Sequence, residues 1–225
     1  MSSLQFLTWT ASGDNHRNED VVQVRPHPGQ PDFTLCSLAD GQGGRSGGAG
    51  AAQVAVQQSL AAALSFPADA LTQSAQWHPI VSAADDAVCE DDDAGFCTLL
   101  SLGVSAQNVC GASCGDSGAL LLSGGREILL TEHQRKNPPV GSGAAYPTAF
   151  EARLFPGWKL LVVSDGVWNY VGWEQIAKIA AQNQGNSLIA ALHQAALDAN
   201  AGKLVDDFTV ALFYDEKTMR FRTMC

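Results

Sequence analysis

Short hydrophobic runs, separated by turns, dominate the chain and predict a structure rich in β-strands. The runs are continuous or alternating and stop at glycine, proline or small polar residues, as strands do. The predicted strands span residues 4–10, 21–24, 33–40, 98–104, 107–112, 119–123, 128–131, 150–155, 159–164 and 206–214.

Four other segments carry hydrophobic residues at helical spacing: 47–64, part of 68–88, 173–182 and 187–199. Pro79 is expected to kink or interrupt the second helix, because proline lacks the N–H that the helical ladder needs. Helices early and late around many strands predict an α+β fold in one domain, residues 1–225. We expect a central β-sandwich of two mainly antiparallel sheets flanked by helices.

One predicted strand ends abruptly at an acidic residue. The run FTLCSLAD stops at Asp40 and passes into Gly41, so the carboxylate stands at the edge of a buried strand. An ordinary Asp-Gly turn is one interpretation. A ligand for Mg²⁺ or Mn²⁺ is the other, because these hard cations prefer oxygen donors. The helix predicted at 47–64 would point the positive end of its dipole toward this position.

The same arrangement recurs along the chain and favours the second interpretation. Another hydrophobic run ends at Asp165-Gly166, Asp206-Asp207 opens the last strand, and Glu19-Asp20 precedes an early one. Two cations about 3.5–4 Å apart need several carboxylates, one of them bridging the pair. Four acidic groups at strand ends therefore predict a two-metal carboxylate site.

Composition excludes several functions. The chain has 225 residues and a formal charge of −10, which argues against nucleic acid or an anionic membrane as a partner. It contains no run long enough for a membrane span and no pattern of a signal peptide. Its cysteines lie mostly in hydrophobic runs and are expected to stay reduced. A cytoplasmic location is therefore expected.

Five sequence blocks together resemble one known family. They are RNED at 17–20, ADGQGG at 39–44, CGDSGALLL at 114–122, VVSDGVW at 162–168 and DDFTVALF at 206–213. Each block is weak alone, but their order and spacing are similar to those of the metal-dependent serine/threonine phosphatases of type 2C, the PPM family. The resemblance covers residues 4–214. It implies a β-sandwich with helices outside and two Mn²⁺ or Mg²⁺ ions at one edge.

The resemblance implies a role for each acidic block. The implied metal-binding residues are Glu19, Asp20, Asp40, Gly41, Asp165 and Asp206. Asp40 would bridge the two ions, whereas Asp165 and Asp206 would bind the first, and these three carboxylates form the implied catalytic set. Glu19 would reach the second ion directly or through water. Asp20 resembles the family's supporting acid.

The chain departs from the family at the substrate side of the site. An arginine that binds substrate phosphate in the family is replaced by Asn15, and Arg17 lies close enough in sequence to take part of that role. Gln42 stands where many relatives have histidine or methionine. A third metal site would draw on Asp93 and Asn169, and we expect it to bind weakly or not at all. Asp116, in the GDS block, is interpreted as structural.

Three functions remain open from the sequence. The retained acidic set favours metal-dependent hydrolysis of phosphoserine or phosphothreonine on proteins, by a water activated at the two metals. The departures at Asn15, Gln42 and Asn169 favour a pseudophosphatase that binds a phosphoprotein or a kinase without turnover. A phosphatase of small molecules is the third. The resemblance implies a monomer whose partner is a phosphoprotein, acting against a serine/threonine kinase.

Overall fold

The computed structural model describes residues 4–14, 17–42 and 47–215. Within these ranges the chain forms ten β-strands and five α-helices. The strands are β1 Leu4–Ala11, β2 Asp20–His27, β3 Gln30–Asp40, β4 Leu99–Val104, β5 Asn108–Cys114, β6 Gly118–Ser123, β7 Arg126–Leu129, β8 Thr148–Arg153, β9 Lys159–Val163 and β10 Phe208–Asp215. The helices are α1 Gly48–Leu64, α2 Trp77–Cys89, α3 Asp165–Val171, α4 Trp173–Gln182 and α5 Gly185–Ala199.

The strands form two antiparallel sheets of five strands each. One sheet has the order β1-β10-β9-β6-β7 and the other β2-β3-β4-β5-β8. Helices α1 and α2 share a buried cluster with the second sheet, and α3, α4 and α5 share one with the first. A third cluster lies between the sheets. The predicted fold class, a β-sandwich flanked by helices, is confirmed.

The two-residue period of the strands explains how each sheet is buried on both faces. In β4, Leu100 and Leu102 belong to the cluster between the sheets, whereas Leu99 belongs to the cluster beneath α1 and α2. In β9, Leu160 and Leu161 divide in the same way. Successive side chains point to opposite faces of a strand, so continuous hydrophobic runs supply two cores at once. Because both faces of these strands are buried, the charged side chains of the predicted site lie at the strand ends.

Two predictions about helices need correction. Pro79 does not interrupt α2, because the helix begins at Trp77 and the proline lies in its first turn. The first N–H groups of a helix have no partner within the helix, so proline costs little there. In addition, no helix is predicted between the strand that ends before Asp165 and the helix at 173–182. Asp165 is the first residue of the short helix α3.

A buried carboxylate of α2 holds part of the segment 134–146, which connects β7 and β8. Asp85 of α2 is 3% exposed and accepts hydrogen bonds from the backbone N–H groups of Gly141, Gly143 and Ala145, at 2.6, 3.2 and 2.9 Å. The sequence gives no hint of this contact, because its partners are backbone groups far along the chain. Among the described residues, no helix is long and apolar enough to cross a membrane.

Candidate functional site

The acidic blocks meet at one cavity of about 640 Å³, where the ends of β3 and β9 and the start of β10 come together. The cavity is lined by Arg17, Glu19, Asp40, Gly41, Gln42, Cys97, Thr98, Gly115, Asp116, Lys136, Pro139, Asp165, Asp206 and Asp207. Of the six predicted metal-binding residues, five line this cavity. Asp20 is the exception and lies buried beside it, 7% exposed.

The register of the second sheet brings two of the blocks together. Asp20 in β2 pairs with Asp40 in β3, and the N–H of Gly41 donates to the carbonyl of Glu19 at 3.2 Å. Thr98 holds Asp40 from the other side, because its hydroxyl accepts the Asp40 N–H at 3.0 Å and its own N–H donates to the Asp40 carbonyl at 2.8 Å. The Asp40 backbone is therefore fixed on both sides.

The first sheet brings the other two blocks together. Val163 of β9 pairs with Val210 of β10. Ser164 continues the contact, since its N–H donates to the Thr209 carbonyl at 3.1 Å and its hydroxyl donates to the Asp207 carbonyl at 3.2 Å. Asp165, which starts α3 directly after Ser164, is thereby held beside the chain that enters β10. Neither sheet alone assembles the site.

Asp207 joins the two halves of the site. Its two carboxylate oxygens accept the N–H groups of Gly13 and Glu19, at 2.8 and 2.6 Å. It is 5% exposed and directly precedes β10, whereas Glu19 directly precedes β2 in the other sheet. Asp207 thus positions Glu19 through the backbone. A carboxylate is suited to this task because both of its oxygens accept hydrogen bonds.

Replacing Asp207 tests this positioning role. Asp207→Ala leaves two N–H groups without their partner, and we expect the free energy of unfolding to fall by about 1–3 kcal/mol. Affinity for Mg²⁺ should fall in parallel, because Glu19 loses its anchor. Urea unfolding and calorimetric titration with Mg²⁺ measure the two effects. Asp32→Ala, which removes an exposed carboxylate at the far end of β3, is the charge-matched control. Unchanged Mg²⁺ affinity in Asp207→Ala would contradict the role.

Two glycines that follow the acidic residues are required by close backbone approach. A Cβ on Gly41 would lie 2.5 Å from the carbonyl oxygen of Gly48 at the start of α1. A Cβ on Gly166 would lie 2.0 Å from the carbonyl oxygen of Asp207. The Asp-Gly pairs are therefore more than turns, because glycine lets the flanking elements close around each carboxylate. The start of α1 also lies against Glu19, as a Cβ on Gly48 would be 3.0 Å from the Glu19 Oε2.

The carboxylates raise one another's pKa. Burial raises the pKa of Asp40, and the neighbouring carboxylates of Asp20, Asp165 and Asp206 raise it further. Burial, together with nearby Asp116 and Asp206, also raises the pKa of Asp165. The closeness of Asp165 is thus one cause of the raised pKa of Asp40, whereas Asp40 lowers the pKa of Asp165. Like charges confined to one cavity disfavour ionisation unless a cation lies between them.

These residues fit divalent metal ions. Both carboxylate oxygens of Asp20 are buried without a hydrogen-bond partner, which is costly unless a charge nearby compensates. The other donors are carboxylates and the Gly41 carbonyl, all oxygen atoms of the kind that Mg²⁺ and Mn²⁺ prefer. As the side chains stand, no three of the histidine, cysteine and acidic side chains within 4–14, 17–42 and 47–215 converge to metal-binding distance. Small side-chain rotations toward the cavity would be needed to bind an ion.

The residues predicted to contact substrate or a third metal differ in whether they line the cavity. Arg17 and Gln42 line the cavity. Asp93 and Asn169 are both exposed and are absent from its lining, and the third metal site stays a prediction. Asn15 lies outside the described residues.

Sequence reasoning missed three residues of the site. Asp116, interpreted as structural, faces the cavity and forms an ion pair with Lys136. The signal for Asp116 was present, since it lies near the end of a predicted strand and beside a glycine, as Asp40 and Asp165 do. Asp207 was visible only as the second half of Asp206-Asp207. Lys136 had no signal, because it lies in a loop outside all five sequence blocks.

Comparison with protein families gives a match over most of the chain. The model of the family described as Stage II sporulation protein E (SpoIIE) matches residues 34–214. The chain belongs to the SpoIIE family. In this SpoIIE-family chain, the match includes Asp40, Asp165 and Asp206 but begins after Glu19 and Asp20, whose place in the site rests on the structure. None of the curated proteins gives a significant sequence match.

Three solved structures with the same fold are serine/threonine phosphatases. The catalytic domain of the serine/threonine protein phosphatase PstP, in complex with two manganese ions, is 22% identical with a TM-score of 0.76, over 96% of this chain and 99% of that one. Stp1 from Staphylococcus aureus is 19% identical with a TM-score of 0.76, over 95% of each chain. The S. agalactiae serine/threonine phosphatase is 20% identical with a TM-score of 0.76, over 95% and 100%. The predicted resemblance to phosphatases of type 2C is confirmed, and the SpoIIE-family chain shares their fold.

Proposed function

We propose that the protein is a metal-dependent phosphatase that hydrolyses phosphoserine or phosphothreonine on proteins. The observation that carries this proposal is the convergence of Glu19, Asp40, Asp165 and Asp206 on one open cavity. The shared fold with phosphatases, one of them crystallised with two manganese ions, supports it. Hydrolysis of a phosphate monoester requires positive charge at the phosphate and an activated water, and a two-metal carboxylate site supplies both.

The acidic residues would hold two Mn²⁺ or Mg²⁺ ions. Asp40 is the candidate bridging ligand, because it lies between the Glu19 side of the cavity and the Asp165 side. Asp165 and Asp206 would be the other ligands of one ion. Glu19 and the Gly41 carbonyl would be the other ligands of the second ion. When bound, the ions would lower the pKa of a water and offset the charge of the phosphate. Binding would also require Asp40, whose pKa is raised in the metal-free protein, to be deprotonated.

The rest of the cavity shapes substrate binding. Arg17 lines the cavity and would contact the phosphate with a guanidinium group that is always charged. Cys97 also lines the cavity, but burial raises the pKa of its thiol far above neutral pH, so it is no nucleophile. The side chain of Gln42 is an amide, which can form hydrogen bonds but cannot act as a general acid. No protein nucleophile is therefore required, and attack by water is the reaction that the residues favour.

The test is hydrolysis of p-nitrophenyl phosphate and of a phosphothreonine peptide, with and without millimolar Mn²⁺. Manganese-dependent turnover that favours the peptide is the expected result. Turnover of the small ester alone would indicate a small-molecule phosphatase. Mn²⁺ binding in calorimetry without any turnover would contradict the proposal and indicate a pseudophosphatase.

The proposed partner is a phosphoprotein modified by a serine/threonine kinase, bound by the protein as a monomer. Sedimentation measures the oligomeric state. Dephosphorylation of the products of a purified serine/threonine kinase tests the partner class, and a preference for phosphotyrosine peptides would contradict it.

A further inference from the structure

Lys136 is placed where a cation can meet a bound phosphate. It lies between β7 and β8, lines the cavity and donates from its ammonium group to a carboxylate oxygen of Asp116. Among the described residues that line the cavity, Lys136 and Arg17 are the only two with a positively charged side chain. Its side chain is 65% exposed, so the ammonium is accessible from solvent.

The backbone around Lys136 is anchored on both sides. The Gln134 side chain donates to the Ser117 carbonyl at 2.9 Å, and the N–H of Gly115 donates to the Arg135 carbonyl at 2.8 Å. After Lys136, Val140 and Cys97 exchange two backbone hydrogen bonds of 3.1 Å. The lysine is thus carried at a defined position on the wall of the cavity, while its long side chain remains adaptable.

The charges around Lys136 keep it protonated. Its hydrogen bond and ion pair with Asp116 raise its pKa, and Asp165 and Asp40 of the cavity raise it further. The ammonium has three donors, and Asp116 accounts for one contact. An exposed ion pair of this type contributes little to stability, so the ammonium can transfer from Asp116 to a stronger anion without a large loss.

We propose that Lys136 binds the phosphate group of the substrate, leaving its ion pair with Asp116 to donate to a phosphate oxygen. This inference rests on the proposed function and identifies the residue that supplies a phosphate contact from the β7–β8 connection. A phosphate dianion entering a cavity lined by several carboxylates needs cations on the protein side as well as metal. The competing interpretation is that the Lys136–Asp116 pair only ties the loop to β5.

Three substitutions separate the two roles. Lys136→Met removes the charge and keeps most of the side-chain volume. Asp116→Asn breaks the ion pair but leaves the lysine in place. Lys178→Met is the matched control, because Lys178 is also an exposed lysine, 59% accessible, in an ion pair with Glu174 at 2.7 Å. If Lys136 contacts phosphate, only Lys136→Met weakens phosphate binding. If the pair is purely structural, Lys136→Met and Asp116→Asn have the same effect.

The measurement is equilibrium dialysis of radiolabelled inorganic phosphate against the Mg²⁺-loaded protein, followed by kcat and KM for the phosphothreonine peptide. Lys136→Met should weaken phosphate binding about tenfold, the scale of one charged hydrogen bond, and should raise KM more than it lowers kcat. Lys136→Arg should restore binding to within a few-fold. Lys178→Met should match wild type, and Asp116→Asn should bind phosphate at least as tightly.

Each outcome decides the inference separately from the proposed function. Wild-type phosphate affinity in Lys136→Met, or equal weakening in Lys136→Met and Asp116→Asn, overturns the role of Lys136 even if the protein is an active phosphatase. Wild-type protein that binds no phosphate overturns it as well. Wild-type protein that binds phosphate through Lys136 but hydrolyses no substrate supports the inference and contradicts the proposed function.

Discussion

Asp40→Asn is expected to weaken Mn²⁺ binding by more than about a hundredfold. Loss of a residue that only hydrogen-bonds a metal ligand costs up to about a hundredfold, and a direct ligand should cost more. The substitution should abolish most metal-dependent turnover. The reason is that Asp40 faces both halves of the cavity, so an amide at this position removes a negative charge from both candidate ions at once. Asp165→Asn should have a similar effect, because Asp165 lines the same cavity as Asp40 and would supply a carboxylate to one ion.

Calorimetric titration with Mn²⁺ and hydrolysis of p-nitrophenyl phosphate measure both effects. Asp198→Asn is the matched control, since Asp198 is an exposed carboxylate of α5 that accepts a hydrogen bond from Gln194 in the same helix. Thermal unfolding of each variant without metal establishes that the fold is kept. An Asp165→Asn protein with the wild-type Mn²⁺-dependent rate would remove the basis for the whole site assignment.

The metal-free protein is expected to lose stability as the pH rises from about 4 to about 7. Burial is the main cause that raises the pKa of Asp20 to about 7; the hydroxyls of Thr209 and Ser164 lower it, and the Asp207 and Asp165 carboxylates raise it slightly. In the unfolded chain the Asp20 carboxyl titrates near pH 3.9. Between these values the folded protein holds more protons than the unfolded chain, so the free energy of unfolding falls with rising pH, by about 1.4 kcal/mol per pH unit for one group. The raised pKa of Asp40 extends the effect to higher pH.

Urea unfolding of metal-stripped protein at pH 5 and pH 7 measures this dependence. Asp20→Asn, neutral at both values, should show a flatter pH dependence and higher stability at pH 7 without metal. Saturating Mg²⁺ should reverse the trend in wild type, because metal ions bind the deprotonated carboxylates and stabilise the state that holds them. Stability of the metal-free protein that rises between pH 5 and 7 would contradict the buried, uncompensated state of Asp20.

Much of the fold was predictable because it depends on local pattern. The hydrophobic runs of β3, β4 and β9 are continuous because both faces of each strand are buried, and they end at turns that the sequence shows. Errors arose where position within an element matters more than residue type. Pro79 in the first turn of α2 looks the same in sequence as a proline that breaks a helix, and the first residues of α3 look like an Asp-Gly turn.

The sequence by itself determined the alternation of strands and helices, the acidic residues at strand ends and the expectation of a carboxylate metal site. Each of these is local, since one strand, its terminal Asp and its glycine lie within a few residues. The tertiary structure alone decided that Asp207 of one sheet positions Glu19 of the other, that Asp85 holds the loop at Gly141, and that Lys136 meets Asp116 at the cavity. These contacts join segments far apart in the chain and use backbone groups or single charges, which leave no periodic or composition signal.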